Sequence, residues 1–362
     1  MNNYYYLFTI IAIFVSIFLL IGCGEEDSVE IQSVTPMDGS TIFSDGTIKV
    51  SFSGNLENLT VSKGEITITE NTVAISGPFT QGTLEIELTW EGGNSHLTYT
   101  VEEKIVIPEG MVLIPEGEFQ LGSISGEAGS VEQPGHLVYI DAFYIDIYEV
   151  TNSDYKKFID ANSEWQKANI DSQFHDGNYL AHWTENSYPS DKADHPVINV
   201  SWYAASAYSH WLEKRLPTEA EWEKAARGGI EGQKYPWGHS IDDTKANFSL
   251  NVGYTGSTKP VGAYPPNGYE LYDIVGNVLE WCLDAFDRNY YEDPSDNNPI
   301  SGSNTIVEIV DMAFDISTTR SVRGGLWVES GQPRIWITHR RGNNPAQTSH
   351  LTGFRCVKSV TQ

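Results

Sequence analysis

Hydrophobic and polar residues alternate along the first third of the chain. The alternation is clearest at residues 48–52, 84–90 and 97–101, and it recurs at 66–68. A period of two places one set of side chains on a single face of a β-strand, and turns rich in Gly, Asp and Asn separate the runs. The pattern predicts a small all-β sandwich over residues 29–105.

This predicted sandwich resembles bacterial immunoglobulin-like modules. It is strongly acidic, with 15 acidic and 3 basic residues between Glu25 and Glu109. It contains no cluster of nucleophiles or metal ligands. We expect a spacer here, and binding of a ligand or of the cell wall is the alternative.

A second domain is expected over residues 111–358, where regular periodicity is sparse. Helices are predicted from Thr151 or Asn152, after Ser201, and after Thr218, where Thr218 and Glu221 form a capping box. About 120 residues of Gly, Asn, Pro and aromatic side chains follow Gly228-Gly229. Such a long irregular stretch is usually functional or held by ions.

The N-terminus carries an apolar run of about 15 residues, Leu7–Ile21, which is shorter than the roughly 20 residues of a spanning helix. The run leads into Leu20-Ile21-Gly22-Cys23, which resembles a bacterial lipobox. The expectation is a signal peptide over residues 1–22, a lipid on Cys23 and a tether over residues 23–28. The alternative is an uncleaved membrane anchor. Either places the body in the cell envelope, and Gly24 favours the outer membrane, facing the periplasm or the surface.

The amino-acid composition restricts the classes of molecule that this protein is expected to bind. Asp and Glu number 49 and Lys and Arg 22, for a net charge of -27. A chain this negative repels phosphate, which argues against a nucleic-acid partner and suits cation binding. Three cysteines are too few for a disulfide scaffold.

A series of motifs runs in order across the second domain. They are MVLIPEGEFQLGS at 111–123, HLVYIDAFYIDIYEVTN at 136–152, HPVINVSW at 195–202, KRLPTEAEWE at 214–223, YPWG at 235–238, PVGAY at 260–264, GNVLEW at 276–281, RGG at 323–325 and GFRC at 353–356. Together they resemble the formylglycine-generating enzyme (sulfatase-modifying factor) family. The resemblance implies an α+β, loop-rich, C-type-lectin-like fold that commonly carries calcium.

The resemblance implies two calcium sites, and calcium favours carboxylates and carbonyls of irregular chain. One site would use the side chains of Asp273 and Glu280 with the carbonyls of Gly276 and Val278. The alternative is that both acids cap turns or pair with arginine. A second site would use Asn247 and the Phe248 carbonyl, with Gly253 where the family has an acid.

The family oxidises a cysteine to an aldehyde with Cu(I) held by two cysteines, since soft thiolates select Cu(I). Here the first copper position falls on Glu329 and the second on Pro333 or Arg334, and no cysteine lies between Cys282 and Cys356. Copper is therefore not expected. Glu329 is the candidate catalytic acid or base, as in relatives that oxidise without copper cysteines.

Two further features leave alternatives open. Family members pair the cysteine of GFRC with a cysteine that here is Ser209, so a Cys282–Cys356 disulfide and two separate buried thiols are both considered. The arginines at 323, 334, 340, 341 and 355 either brace loops through carboxylates or bind an anionic ligand or acidic peptide.

These features lead to one functional expectation. The protein is expected to be an envelope lipoprotein, anchored to the membrane, that binds or scaffolds a protein or peptide partner in the family groove. The alternative is an oxidoreductase of this family that works on a protein side chain or small molecule without the cysteine pair.

Overall fold

The computed structural model describes residues 29–103, 106–124, 126, 128–248, 256–292, 295–302, 305–325 and 335–360. Contacts divide the chain into two units after Val106. The predicted signal peptide, Cys23 and the tether lie outside the described residues. Within the described ranges, every helix is too short or too polar to cross a bilayer.

The described part of the N-terminal unit is built from strands alone. They form two four-stranded sheets, one ordered first, third, sixth, fifth and the other second, eighth, seventh, fourth. The second strand runs parallel to the eighth, and the other pairs are antiparallel. The strands are β1 (Ile31–Thr35), β2 (Thr41–Phe43), β3 (Thr47–Phe52), β4 (Thr60–Val61), β5 (Glu65–Thr69), β6 (Thr72–Ser76), β7 (Gly82–Trp90) and β8 (Gly93–Glu102).

Side chains from both sheets bury into one hydrophobic cluster. The predicted alternation is confirmed in β3, in β7 from Leu84 onward and in β8 from Leu97 onward, where every second residue is buried. Strand β5 differs, because Ile66 and Ile68 are 41% and 49% exposed. They lie opposite the buried Ile75 and Val73, but β5 is an edge strand and its inner face is only partly covered. The immunoglobulin-like character of this unit stays a prediction.

The C-terminal unit mixes short strands and helices around a larger core. Its elements are β9 (Met111–Ile114), β10 (Gly117–Leu121), β11 (His136–Ile140), β12 (Phe143–Asp146), α1 (Asn152–Ala161), α2 (Trp202–Trp211), α3 (Glu219–Arg227), β13 (Leu279–Ala285), α4 (Ile306–Asp311), β14 (Arg320–Arg323), β15 (Arg340–Asn343), β16 (Thr352–Gly353) and β17 (Val357–Ser359). The sheets have the orders β10-β11, β17-β12-β9 and β15-β14-β13-β16.

The three predicted helices begin where their caps place them. Thr151, Ser201 and Thr218 each accept a hydrogen bond from a backbone N–H in the first turn of α1, α2 and α3. The capping box of α3 is complete, and the helix ends at Gly228 with φ +61°. A Cβ there would lie 2.7 Å from the backbone nitrogen of Gly268, so this position requires glycine.

Strand β13 lies in the region predicted to be irregular. Its first six residues are all buried, so it shows no alternation of hydrophobic and polar positions. A strand covered on both faces cannot be recognised by period two. The irregular stretch therefore contains one of the two inner strands of a four-stranded sheet.

Candidate functional site

Strand β13 separates the core of the C-terminal unit into two clusters. Leu279, Trp281 and Leu283 pack into the cluster built on α1 and α2. Cys282 packs into the other cluster with α3, and Glu280 accepts a hydrogen bond from a tryptophan of that helix. Successive side chains of a strand point to opposite faces. Glu280, Cys282 and Asp284 therefore all face α3.

A buried layer of ion pairs joins α3 to the sheet. Arg340 donates to both carboxylate oxygens of Glu219, through Nε at 2.7 Å and Nη2 at 2.6 Å. Glu223 accepts from Arg323 Nη2 and, at 2.6 Å, from Arg227 Nη2. Buried charges are tolerated only when they are paired in this way. The layer is a structural connection between helix and sheet.

A second buried ion pair lies at the start of β13. Arg355 donates to both oxygens of Glu280 at 2.8 Å, and Trp222 Nε1 donates to Glu280 at 2.9 Å. The remaining N–H groups of Arg355 donate to three backbone carbonyls. This is the arginine pairing that the sequence offered as the alternative to calcium at Glu280.

The basic cluster is therefore mostly internal. Arg323, Arg340 and Arg355 are buried and paired with carboxylates, so they brace the fold and do not present charge to a ligand. His339 Nδ1 lies 3.5 Å from Glu132 Oε1. Arg334 lies outside the described residues.

Of the residues predicted for the first calcium site, Asp273, Gly276 and Val278 lie on a tight turn before β13, and Glu280 lies in β13 itself. Asp273 and Gly276 have φ +53° and +90°, and a Cβ on Gly276 would lie 2.7 Å from the Asn247 carbonyl oxygen. Asp273 Oδ2 accepts from the Gly262 N–H at 2.6 Å, whereas Oδ1 is buried without a hydrogen-bond partner among the described residues. An orphaned carboxylate oxygen fits a hard cation, and calcium here stays a prediction.

A second buried acid, Glu149, interacts with this turn. Its Oε2 accepts from Asn277 Nδ2 at 2.6 Å, and its Oε1 has no hydrogen-bond partner among the described residues. Burial, followed by the charges of Asp273 and Glu280, raises the pKa of Glu149 well above its ordinary value. Burial also raises the pKa of Asp273 to about 6. Both shifts show that negative charge is poorly compensated here.

Asn277 connects the two predicted calcium sites. Its side-chain oxygen accepts from Asn247 Nδ2 at 3.1 Å and from the Lys259 N–H at 2.9 Å. Phe248 is half-buried against the α3 cluster, and residues 249–255, including Gly253, lie outside the described residues. No group of three His, Cys, Asp or Glu side chains within the described ranges converges to hold a metal.

Of the two alternatives for Cys282 and Cys356, the structure has the separate thiols, since both are buried and free. The reason is their separation by β13: Cys282 packs with α3, and Cys356 packs in the α1–α2 cluster. Cys356 Sγ instead lies 3.2 Å from Ser209 Oγ. Burial raises the pKa of both thiols well above the ordinary value.

The candidate catalytic residue Glu329 lies outside the described residues, as does the rest of 326–334. A cavity of about 90 Å³ lies beside Trp336, just after this segment. Gln120, Lys234 and Thr338 contribute to its wall, and Lys234 Nζ stands 4.5 Å from the centre of a Trp336 ring. The cavity therefore combines an aromatic surface with polar groups.

Comparison with known proteins identifies the family to which the C-terminal unit belongs. The profile of the sulfatase-modifying factor enzyme 1-like domain matches residues 98–360. The chain belongs to this family. A formylglycine-generating enzyme of Thermomonospora curvata is 34% identical over 296 residues, covering 69% of this chain and 94% of that protein.

Other relatives in this family carry different names. The inactive C-alpha-formylglycine-generating enzyme 2 of Bos taurus is 33% identical, over 69% of this chain and 88% of that protein. The serine/threonine-protein kinase pkn1 of Chlamydia pneumoniae is 38% identical over 252 residues, 69% of this chain. The chain spans only 38% of that kinase's length.

A solved structure shows the same fold. PvdO from Pseudomonas aeruginosa aligns with a TM-score of 0.53 and 23% identity, over 69% of this chain and 94% of PvdO. Together with the family assignment, this confirms the mixed, loop-rich α+β fold of a formylglycine-generating-enzyme-like domain.

Glu149 is the site residue that sequence reasoning did not single out. It stands within the family segment at 136–152, but a single acid before a helix cap carries no ligand pattern. Only the fold brings it beside Asp273, which is 124 positions further along the chain.

Proposed function

We propose that this protein is a lipid-anchored envelope member of the sulfatase-modifying factor family that binds a protein or peptide partner without copper. One observation carries the proposal: no cysteine occupies residues 283–355, which include the family's copper positions. Glu329 and either Pro333 or Arg334 stand there instead. A carboxylate with a proline ring or a guanidinium group does not replace a thiolate pair for Cu(I).

The other cysteines do not supply the missing ligands. Cys282 and Cys356 are wholly buried, on opposite faces of β13, and their raised pKa values keep them as neutral thiols. Thiolates, and not thiols, bind the metal. The ligand set of this chain does not fit copper.

The cavity beside Trp336 supports a binding role. Trp336 in its wall follows closely in sequence the positions where the family has its reactive cysteines, so we expect a partner in the family groove to reach it. Its tryptophan and polar wall are suited to a peptide side chain, since aromatic groups supply contact area and the polar groups supply hydrogen bonds. The inactive Bos taurus relative supports the idea that such a domain persists without the oxidase reaction.

Calcium has a structural role in this proposal. The oxygen ligands present at the turn before β13 suit a hard cation, and Asp273 would hold it. When bound, the ion would supply positive charge to a buried acidic turn and reduce its electrostatic strain.

Copper binding is the direct test of the proposal. Full-length protein, titrated with Cu(I) against a chelating dye, should not compete for the metal. The Glu329→Cys/Arg334→Cys and Glu329→Cys/Pro333→Cys variants restore the two possible cysteine spacings, and one should gain tight binding. Conversion of a cysteine-containing sulfatase peptide to its formylglycine form by the unaltered protein would contradict the proposal. Loss of that conversion in Glu329→Gln, with folding intact, would assign it to the alternative oxidoreductase.

The lipid anchor needs a separate experiment. In a bacterial host, labelled palmitate should be incorporated into the protein, and Cys23→Ala should abolish the label and leave residues 1–22 uncleaved, as mass spectrometry would show. An unaltered protein that is in the membrane fraction, unlabelled and still carrying residues 1–22 would indicate the uncleaved anchor instead.

A further inference from the structure

Arg320 is a buried arginine that lacks a carboxylate partner. It is 4% exposed and begins strand β14, where it pairs with Ala285 at the end of β13. Among the described residues no carboxylate forms an ion pair with it, whereas each of the buried arginines at 227, 323, 340 and 355 pairs with a glutamate. A buried charge is stable only when it is paired, so Arg320 lacks a counter-ion.

The guanidinium of Arg320 also keeps unused hydrogen-bond donors. Its Nη1 donates to the Leu283 carbonyl at 2.8 Å, and its Nη2 donates to Thr318 Oγ1 at 2.6 Å. Its Nε is buried without a hydrogen-bond partner among the described residues. A guanidinium has five N–H donors, so these two bonds leave three of them. The Cζ atom lies over a Trp202 ring, 4.9 Å from its centre, and this contact favours the charged form.

Asp284, a buried acid that acts electrostatically on Arg320, does not neutralise it. Its Oδ2 accepts from the Glu219 N–H at 2.7 Å, and its Oδ1 accepts from the Ser301 N–H at 2.9 Å. Burial raises the pKa of Asp284 to about 7, so the carboxyl is only partly charged at neutral pH. Burial lowers the pKa of Arg320 to about 10, and the guanidinium therefore stays charged.

Arg320 lines a cavity of about 270 Å³ at the end of β13. Ser301, which lines it too, is 1% exposed, and its Oγ is also buried without a hydrogen-bond partner among the described residues. Ile309 supplies an apolar wall, and Asp315 is exposed at the rim. The described residues that line this cavity differ from those that line the one beside Trp336. The cavity thus combines an uncompensated cation with an unsatisfied hydroxyl.

We propose that this cavity binds a ligand that carries a single carboxylate, which pairs with Arg320 and accepts a hydrogen bond from Ser301 Oγ. The planar fork of a guanidinium matches the two oxygens of a carboxylate. The carboxylate of Asp315 and the net charge of -27 disfavour a ligand with two negative charges, such as phosphate. The carboxylate belongs either to a free organic acid or to an acidic side chain of a peptide.

Titration of the full-length protein with sodium butyrate tests the site, with isothermal titration calorimetry and the melting temperature as readouts. Butyrate should bind and raise the melting temperature. Butyramide, which has the same shape without the charge, and inorganic phosphate should each bind more weakly by about tenfold or more. Equal affinity for butyramide would overturn the carboxylate assignment.

A peptide probe separates the two sources of the carboxylate. The acetylated and amidated peptide Gly-Glu-Gly carries one carboxylate on a side chain and should compete with butyrate. Tighter binding of the peptide than of butyrate would identify a peptide side chain, and weaker binding would identify a free acid. Failure of both probes to bind would overturn the site.

Two variants locate the binding. Arg320→Gln removes the charge and should weaken butyrate binding by about tenfold or more. The control is Arg288→Gln, which removes an exposed arginine of the same unit and should bind butyrate like the unaltered protein. Unchanged affinity in folded Arg320→Gln would overturn the assignment.

Ser301→Ala keeps the test decisive if Arg320→Gln does not fold. Ser301 Oγ has no hydrogen bond to lose among the described residues, so Ser301→Ala should keep its melting temperature. It should bind butyrate about fivefold more weakly, because one donor to the carboxylate is missing. Unaltered affinity in this variant, with Arg320→Gln unfolded, would also overturn the proposal.

Discussion

The contact between Ser209 and Cys356 allows a quantitative prediction. The two side chains are wholly buried, and their Oγ and Sγ atoms are 3.2 Å apart. The Ser209→Cys substitution replaces oxygen with sulfur at this contact. We expect the two thiols to form a disulfide on oxidation, because only a small adjustment brings the sulfur atoms to bonding distance.

The expected stabilisation follows from the length of the closed loop. The residues are 147 positions apart, and a loop of this length gives about 5 kcal/mol in the chain-entropy treatment. Ser209 also donates to the Ala205 carbonyl at 2.8 Å, and losing that hydrogen bond costs about 1 kcal/mol. With some strain, a net gain of about 2–4 kcal/mol remains, or roughly 5–15 °C in the melting temperature of this unit.

The assay compares oxidised and reduced Ser209→Cys by thermal unfolding and by thiol titration in denaturant. The matched control is Ser209→Cys/Cys356→Ser, which has the new thiol but cannot form this bridge. The unaltered protein should titrate with Cys282 and Cys356 both free. If the introduced thiol and that of Cys356 both persist after oxidation, or if the introduced thiol bridges to Cys282, the described packing around α2 is refuted.

Two other predictions concern the buried charges. Arg355→Lys should lower the free energy of unfolding in urea by about 3–5 kcal/mol, because lysine cannot replace the bidentate contact with Glu280; a change near zero would show that the pair contributes little. Asp284 accepts from two backbone N–H groups, yet burial and then the charge of Glu219 raise its pKa from 3.8 to about 7. Asp284 binds its proton more tightly in the folded protein than in the unfolded chain. The contribution of this proton binding to stability is therefore full below about pH 4 and is lost as pH rises through about 7. Urea unfolding across this range should show a falling difference between the unaltered protein and Asp284→Asn, and parallel pH profiles would contradict the raised pKa.

The sequence by itself determined those strands and helix starts, and the family, that depend on residues close together in the chain. Alternation predicted β3, β7 and β8, and the polar residues at 151, 201 and 218 predicted where α1, α2 and α3 begin. The ordered motifs identified the family, and the lack of cysteine in residues 283–355 led to the expectation that copper is not bound. These signals are readable because strand period, helix capping and ligand identity each depend on residues close in the sequence.

Tertiary structure alone decided the arrangement of the buried polar groups. Strand β13 gave no period-two signal because both of its faces are covered, and it keeps Cys282 apart from Cys356. The packing of the domain also pairs Arg355 with Glu280 and places Glu149 near Asp273. Which charged residues pair depends on which distant segments the fold brings into contact. Residue type and spacing in the sequence do not predict those contacts.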